Sequence, residues 1–109
     1  MLEKNEEITD LTDVIAIHRA PTREDIEKHL EAVGEDVLLM DGFDEAVIGF
    51  SQRINEEFLA VYSWEKMVDI CMKRDGMSWE DAEEYISFNC IGAWVGKKTP
   101  IIVMPVLYW

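Results

Sequence analysis

An α+β fold of one domain is the fold class that this sequence predicts, and three observations predict it. Two segments that follow serines repeat apolar residues at the helical spacing. Short apolar runs bounded by turn residues lie on both sides of those segments, as strands do. The chain has 109 residues, of which 49% are hydrophobic, which is enough for one core. We expect an antiparallel sheet of about four or five strands, with an αα-hairpin and an N-terminal helix packed on it.

The N-terminal part of the chain divides into an arm and the start of the domain. Residues 1–12 are polar and lack periodicity, and they predict a flexible acidic arm in front of a single domain formed by residues 13–109. The segment 13–19, DVIAIHR, is short and rich in β-branched residues, which favours a strand.

The first helix is predicted from its two ends and its apolar spacing. Thr22 is the expected capping residue, and acidic residues follow it in the first turn. Ile26, Leu30 and Val33 form one apolar stripe, and Gly34 ends the helix.

After the first helix, the spacing of apolar residues changes from the helical period to the short apolar runs typical of strands. Val37–Met40 and Ala46–Phe50 are apolar runs joined by the turn signal Asp41-Gly42, which predicts a hairpin. Arg53–Glu57 is the next predicted connection and Phe58–Tyr62 the next predicted strand, so the three runs form an antiparallel meander.

Two further helices are predicted as an αα-hairpin. Ser63 is the expected N-cap of the first and Gly76 its end, and the apolar face consists of Trp64, Met67, Val68, Cys71 and Met72. Ser78 opens the second, whose face continues through Ala82, Tyr85, Ile86 and Asn89 or Cys90. Residues 91–96 are predicted to follow the end of this helix as a connection. The apolar segment Ile101–Val106 predicts a buried strand, and Pro105 indicates that the end of this strand lies at a sheet edge or a bulge.

The net charge of −13 is concentrated in the first 69 residues, which hold 18 of the 23 acids and 6 of the 10 bases. A field of this sign repels nucleic acid and attracts basic protein surfaces. No apolar stretch is long enough to span a membrane, and the N-terminus lacks the basic and apolar regions of a secretory signal. These features predict a cytoplasmic protein that binds neither nucleic acid nor membrane directly.

The densest group of carboxylates lies in and after the first predicted helix. Its negative charge is high enough to imitate a phosphate backbone, and it predicts a face that docks onto a basic, nucleic-acid-handling protein. The acidic face consists of Glu24, Asp25, Glu27, Glu31, Glu35 and Asp36.

A small-ligand site is the alternative prediction. Trp94 stands between two glycines and can form the wall of a pocket for a flat, nucleotide-like signal, with lysines nearby for an anionic group. The residues of this alternative site are Asp41, Asp44, Asn89, Trp94, Lys97 and Lys98. The glycines near Lys97 do not form a phosphate loop, because a helix precedes them and Pro100 follows them.

Metal, cofactor and catalytic sites are not predicted. His18 and His29 have no partner at a metal-ligand spacing, and the carboxylates of Asp41, Asp44 and Glu45 fit a solvated turn better than a cation loop. Two cysteines without redox or metal spacing predict reduced thiols. No nucleophile and base pair is recognisable, so a non-enzymatic protein is favoured over an enzyme.

Two motifs carry a resemblance. The segments DGFDEAVIG at residues 41–49 and FNCIGAWVGKKTP at residues 88–100 resemble an uncharacterised family of small phage and bacterial proteins. The resemblance covers about the last two thirds of the chain, and residues 1–35 fall outside it. It implies a phage protein in a bacterial host, and with the acidic face it leads to a leading hypothesis of an anti-defence inhibitor that binds a host protein. Self-association stays open.

Overall fold

The fold is known from a computed structural model, which describes residues 20–93 and 95–106. The predicted arm, the predicted strand at 13–19, His18, Trp94 and Trp109 therefore lie outside the described residues. Within the described ranges, no helix is both long and apolar enough to cross a membrane.

The described chain is α+β, as predicted, with three α-helices and a sheet of three strands. The helices are α1 (Arg23–Val33), α2 (Trp64–Asp75) and α3 (Trp79–Ile86). The strands are β1 (Val47–Ser51), β2 (Leu59–Ser63) and β3 (Ile101–Val103).

Helix α1 begins at a reciprocal cap. The Thr22 hydroxyl accepts from the Asp25 backbone N–H at 3.2 Å, and the Asp25 carboxylate accepts from the Thr22 N–H at 2.9 Å. Two N–H groups that the helix itself leaves unpaired are satisfied in this way. Of the predicted apolar stripe, Ile26 and Leu30 are buried, whereas Val33 is exposed because the last turn extends beyond the core.

The predicted hairpin between Val37–Met40 and Ala46–Phe50 is wrong. No strand forms over 37–40, and a short 3-10 turn at Asp44–Ala46 leads into β1. The Met40 N–H donates to the Tyr62 hydroxyl at 2.7 Å instead of entering a ladder. A β-hairpin forms instead between the next two strands along the chain, where β1 pairs antiparallel with β2.

Strand β1 carries one extra residue relative to β2. Val47 is paired with Tyr62 and Gly49 with Val61, so Ile48 is bulged, and it is 51% exposed. A bulge of this kind bends the strand and increases its local twist.

The αα-hairpin is confirmed. Ser63 caps α2 by accepting from the Lys66 N–H at 3.2 Å, and Gly76 ends it with φ of 71°. Ser78 caps α3 by accepting from the Asp81 N–H at 3.1 Å. The helix was expected to continue to residue 89 or 90, and it does so by widening into a π-helical turn at Ser87–Ile91.

The sheet is mixed, so the prediction of four or five antiparallel strands is not confirmed. Strand β3 pairs parallel to β2, with Tyr62 opposite Ile102, and both helices of the αα-hairpin lie in the connection between the two strands. Only three residues of the predicted Ile101–Val106 strand enter the ladder, and Pro105 lies beyond its end.

The core lies where the αα-hairpin and α1 cover the sheet. Its fully buried residues come from β2, α2, α3 and the 3-10 turn before β1, and the largest are Tyr62, Met67, Cys71 and Ile86. A second contact joins α1 to the β-hairpin of β1 and β2, because the rings of His29 and Phe50 stack with centroids 5.3 Å apart and Phe50 stacks on Phe58 at 5.4 Å.

Candidate functional site

The loop between α1 and β1 is held by side chains from three elements. Tyr62 on β2 accepts from its Met40 N–H, Arg23 on α1 contacts its aspartates, and Arg74 on α2 contacts its glycine. The loop is thereby fixed without belonging to a helix or a strand for most of its length.

Arg23 forms the contact with the aspartates. Its Nε lies 3.1 Å from both carboxylate oxygens of Asp44, and its Nη2 lies 3.5 Å from Asp41 and 3.3 Å from the Met40 carbonyl oxygen. The hydrogen bond to Asp44 is the main cause that raises the pKa of Arg23 above its ordinary value. Asp44 is thus ion-paired with Arg23 at the edge of the fold.

Arg74 holds the tip of the same loop. Its Nη1 donates to the Gly42 carbonyl oxygen at 2.6 Å, and its guanidinium lies over the Phe43 ring, 5.4 Å from the centroid. Two further hydrogen bonds of 2.9 Å join it to the Asp75 carboxylate and lower the pKa of that group. A ring and a carboxylate together therefore orient one arginine.

A charged cleft of about 710 Å³ opens beside the loop. Its walls come from α1, α2 and the loop, and they consist of Pro21, Thr22, Arg23, Gly42, Asp44, Glu45, Asp69, Ile70, Lys73 and Arg74. Three bases among the described residues line it, and each is paired with a carboxylate, Lys73 with Asp69 at 3.2 Å. The cleft is close to charge balance, which does not favour an anionic ligand.

No group of His, Cys, Asp and Glu side chains within the described ranges is arranged to hold a metal ion.

Gly42 is a testable part of this loop. Its φ is 86°, which costs other residues about 1–2 kcal/mol, and a methyl group there would lie 3.1 Å from Arg74 Nη1. We expect Gly42→Ala to lower the free energy of unfolding by about 1–2 kcal/mol, measured by urea denaturation. Gly49→Ala is the matched control, because Gly49 has no positive φ and open space around it. Equal losses in both variants would contradict the role of the loop.

In the structure, the residues of the predicted acidic face have different contacts. Glu24 is paired with Lys28 at 3.5 Å, and Asp25 belongs to the helix cap. Glu27 and Glu31 are exposed on α1 and form no ion pair with another described residue. Helical geometry of about 100° per residue places Glu24, Glu27 and Glu31 within about 60° of arc.

The last two residues of the predicted face follow the helix. Glu35 and Asp36 are exposed, and within the part of the chain that the structure describes neither carboxylate forms an ion pair. The Lys98 ammonium lies beside them, where it donates to the Asp36 backbone carbonyl at 2.6 Å and is 3.5 Å from Glu57.

The residues of the alternative ligand site are not brought to one place. Asp44 lines the charged cleft and Asp41 contacts Arg23 beside it, whereas Asn89 lines a second, mostly apolar cleft of about 210 Å³. The charged and apolar clefts share no described residue. Lys97 and Lys98 line a groove next to the apolar cleft, and Trp94 lies outside the described residues.

The apolar cleft has few free polar groups. The Asn89 side chain donates to the Tyr85 carbonyl oxygen at 3.0 Å, and burial raises the pKa of the Cys90 thiol. Thr99 closes a turn by accepting from the Val95 N–H at 2.9 Å and donating to the Gly96 carbonyl oxygen at 2.6 Å. These contacts form a helix-to-strand turn, as the sequence indicated.

Sequence reasoning missed a second acidic surface on α3. This helix contains four acids and no base, and the acids are Glu80, Asp81, Glu83 and Glu84. They were hidden in the average over the C-terminal segment, where four lysines and arginines nearly balance them. Counting the net charge of each predicted helix separately would have revealed these acids.

Comparison with family models gave no match, and comparisons with curated proteins and with solved structures gave none that is significant.

Proposed function

We propose that this protein is a non-enzymatic, acidic binding protein whose partner is a basic protein surface. The observation that carries the proposal is that Glu27 and Glu31 are exposed on α1 without an ion pair to any described residue, and that the exposed Glu35 and Asp36 follow the helix. Glu27 and Glu31 are neighbours on the helix, and carboxylates that are not ion-paired produce a local field that attracts and orients a cationic partner.

The internal ion pairs support this division of roles. Asp44 and Asp75 are bonded to arginines that hold the loop and α2, so these carboxylates serve the fold. Arg23 and Arg74 are thus used where they stabilise structure, whereas Glu27 and Glu31 of α1 are exposed to the solvent or to a partner.

The resemblance to phage and bacterial proteins adds a finer proposal. In that setting the partner is a nucleic-acid-handling protein of a bacterial host, and the acidic face imitates DNA to inhibit it. The close spacing of Glu27 and Glu31 on one side of α1 supports this version, because a nucleic-acid-binding surface is built to accept regularly spaced negative charges.

The test is capture of bacterial proteins by the purified chain at two salt concentrations. We expect basic proteins to be retained at about 0.1 M salt and released at about 1 M, where the Debye length falls from about 10 to about 3 Å. The affinity of a captured protein is then measured for the Glu27→Gln/Glu31→Gln double variant. We expect it to be weakened about five- to tenfold, as for two exposed ion pairs.

A charge-matched control separates this face from bulk charge. Glu56→Gln/Glu65→Gln changes the net charge by the same amount, but both residues are exposed outside α1. We expect this variant to bind with nearly the affinity of the unmodified chain. Equal weakening by both double variants, or no basic partner at either salt concentration, would count against the proposal.

The nucleotide-like ligand remains the second prediction. Its support is limited to the adjoining positions of Asn89, Lys97 and Lys98, because the apolar cleft and the lysine groove share Leu38 and Val95. A nucleotide that raises the unfolding temperature would favour this alternative, since a ligand stabilises the state that binds it.

A further inference from the structure

The outward side of the αα-hairpin combines exposed acidic groups with aromatic side chains that are partly or largely exposed. Tyr85 is 40% exposed and Phe88 is 75% exposed, although large aromatic side chains usually contribute to the core. We name the acidic–aromatic face by its members, which are Glu80, Asp81, Glu84, Tyr85 and Phe88, with all three carboxylates exposed.

Helix α3 and the π-helical turn after it carry these residues. Glu80 and Glu84 are four residues apart and so are neighbours on α3, and Phe88 follows in the π-helical turn that continues the helix. Ala82 and Ile86, on the other side of α3, are fully buried. The acidic–aromatic face is therefore directed away from the core and into solvent.

The carboxylates of this face have no ion-pair partner among the described residues. Glu80, Asp81 and Glu84 form no ion pair with any lysine or arginine that the structure describes. An aromatic group beside such carboxylates offers a cation two favourable interactions at once, one with the ring face and one with the carboxylate.

We infer that the acidic–aromatic face is a docking site for an arginine-bearing basic segment of the partner protein. This inference rests on the proposed function. It adds which surface of this protein binds and which side chain the partner presents. Charge complementarity favours this occupant over a second copy of the chain, because two such faces would place carboxylates against carboxylates. Anionic lipid and nucleic acid are disfavoured for the same reason.

Arginine is favoured over lysine by the chemistry of the face. A guanidinium is planar, stacks on aromatic rings and bonds a carboxylate through two N–H groups, whereas an ammonium is a strongly hydrated point charge. The protein contains the same combination internally, where Arg74 lies over Phe43 and bonds Asp75. The acidic–aromatic face offers a ring and carboxylates of the same kind to an external arginine.

The experiment compares labelled oligo-arginine and oligo-lysine peptides of equal length, by fluorescence anisotropy at about 0.1 M salt. We expect the unmodified chain to bind oligo-arginine more tightly. Phe88→Ala should weaken oligo-arginine binding about three- to tenfold and remove most of the preference over oligo-lysine. Phe88→Leu should do the same, because leucine keeps apolar surface but has no aromatic ring. Glu80→Gln/Glu84→Gln should weaken both peptides.

Controls distinguish failure of this inference from failure of the proposed function. Phe88 is largely exposed, so its variants should unfold at the same temperature as the unmodified chain. Unchanged peptide binding in Phe88→Ala, or binding lost only in Glu27→Gln/Glu31→Gln, would overturn the inference and leave the proposed function standing. A chain that binds neither peptide would contradict both. A dimer that Phe88→Ala dissociates would assign the face to a second copy and overturn the inference.

Discussion

Met67→Ala is expected to lower the free energy of unfolding by about 2–5 kcal/mol, the largest effect of any substitution considered for this chain. Met67 lies on α2 and is fully buried in the core. Truncation removes apolar contacts and leaves a cavity, and both losses add to the cost because the surrounding helices relax only in part. Urea denaturation followed by tryptophan fluorescence measures the change.

Met72→Ala provides a control within the same helix. It removes the same side chain and changes helix propensity by the same amount, but Met72 is 37% exposed. We expect a loss of no more than about 0.5–1 kcal/mol, as for substitutions near the surface. Similar losses at the two positions would show that Met67 does not occupy the core described for it.

Tyr62→Phe is expected to cost about 1–3 kcal/mol. The Tyr62 ring is fully buried, and its hydroxyl is the acceptor for the Met40 N–H at 2.7 Å. Phenylalanine keeps the packing of the ring but leaves that donor without its partner, which costs the desolvation of a polar group. The same denaturation experiment measures the loss, and a neutral effect would show that the hydroxyl does not hold the loop.

The pH dependence of the free energy of unfolding provides a second test of Tyr62→Phe. Burial raises the pKa of the Tyr62 phenol above its ordinary 10.0, against a smaller opposite effect of the Met40 hydrogen bond. The unfolded chain therefore ionises this group first, so stability is complete below about pH 10 and falls as the pH rises toward the folded pKa. We expect Tyr62→Phe to remove this part of the alkaline loss.

Burial also raises the pKa of Cys71 and of Cys90 above their ordinary 9.0. Their contribution to stability is likewise lost as the pH rises, and it begins to fall earlier than that of Tyr62. The alkaline loss in Tyr62→Phe should consequently become smaller but not vanish.

The helices were predictable from sequence because their signals are local. Thr22, Ser63 and Ser78 cap helices at the expected positions, since a hydroxyl can reach an N–H three residues ahead without help from the rest of the chain. Strand β2 was also predicted to within about one residue, because its apolar run is bounded on both sides by turn or capping residues.

The sheet pairing was less predictable because it depends on distant residues. The run at 37–40 resembles a strand, but its Met40 N–H is bonded by Tyr62, which lies 22 residues further along the chain. The parallel pairing of β3 requires both helices of the αα-hairpin to be in place. No local pattern distinguishes these arrangements from a simple meander.

The candidate site was predicted in part for the same reason. The carboxylates of α1 were found because they are close together in sequence, whereas the pairing of Arg23 with Asp44 spans 21 residues and was not foreseen. Phe88 was assigned no role, because only the three-dimensional course of α3 and its π-helical turn shows that the ring is exposed.

The extra residue in β1 has a consequence for behaviour at high concentration. Within the described sheet β1 is an outer strand, and its unpaired backbone groups are a template on which another chain could add a strand. The displaced Ile48 interrupts the regular spacing of those groups, which hinders a neighbouring molecule from continuing the ladder in register. Removing this irregularity would therefore favour fibrillar association, without altering any surface proposed for binding.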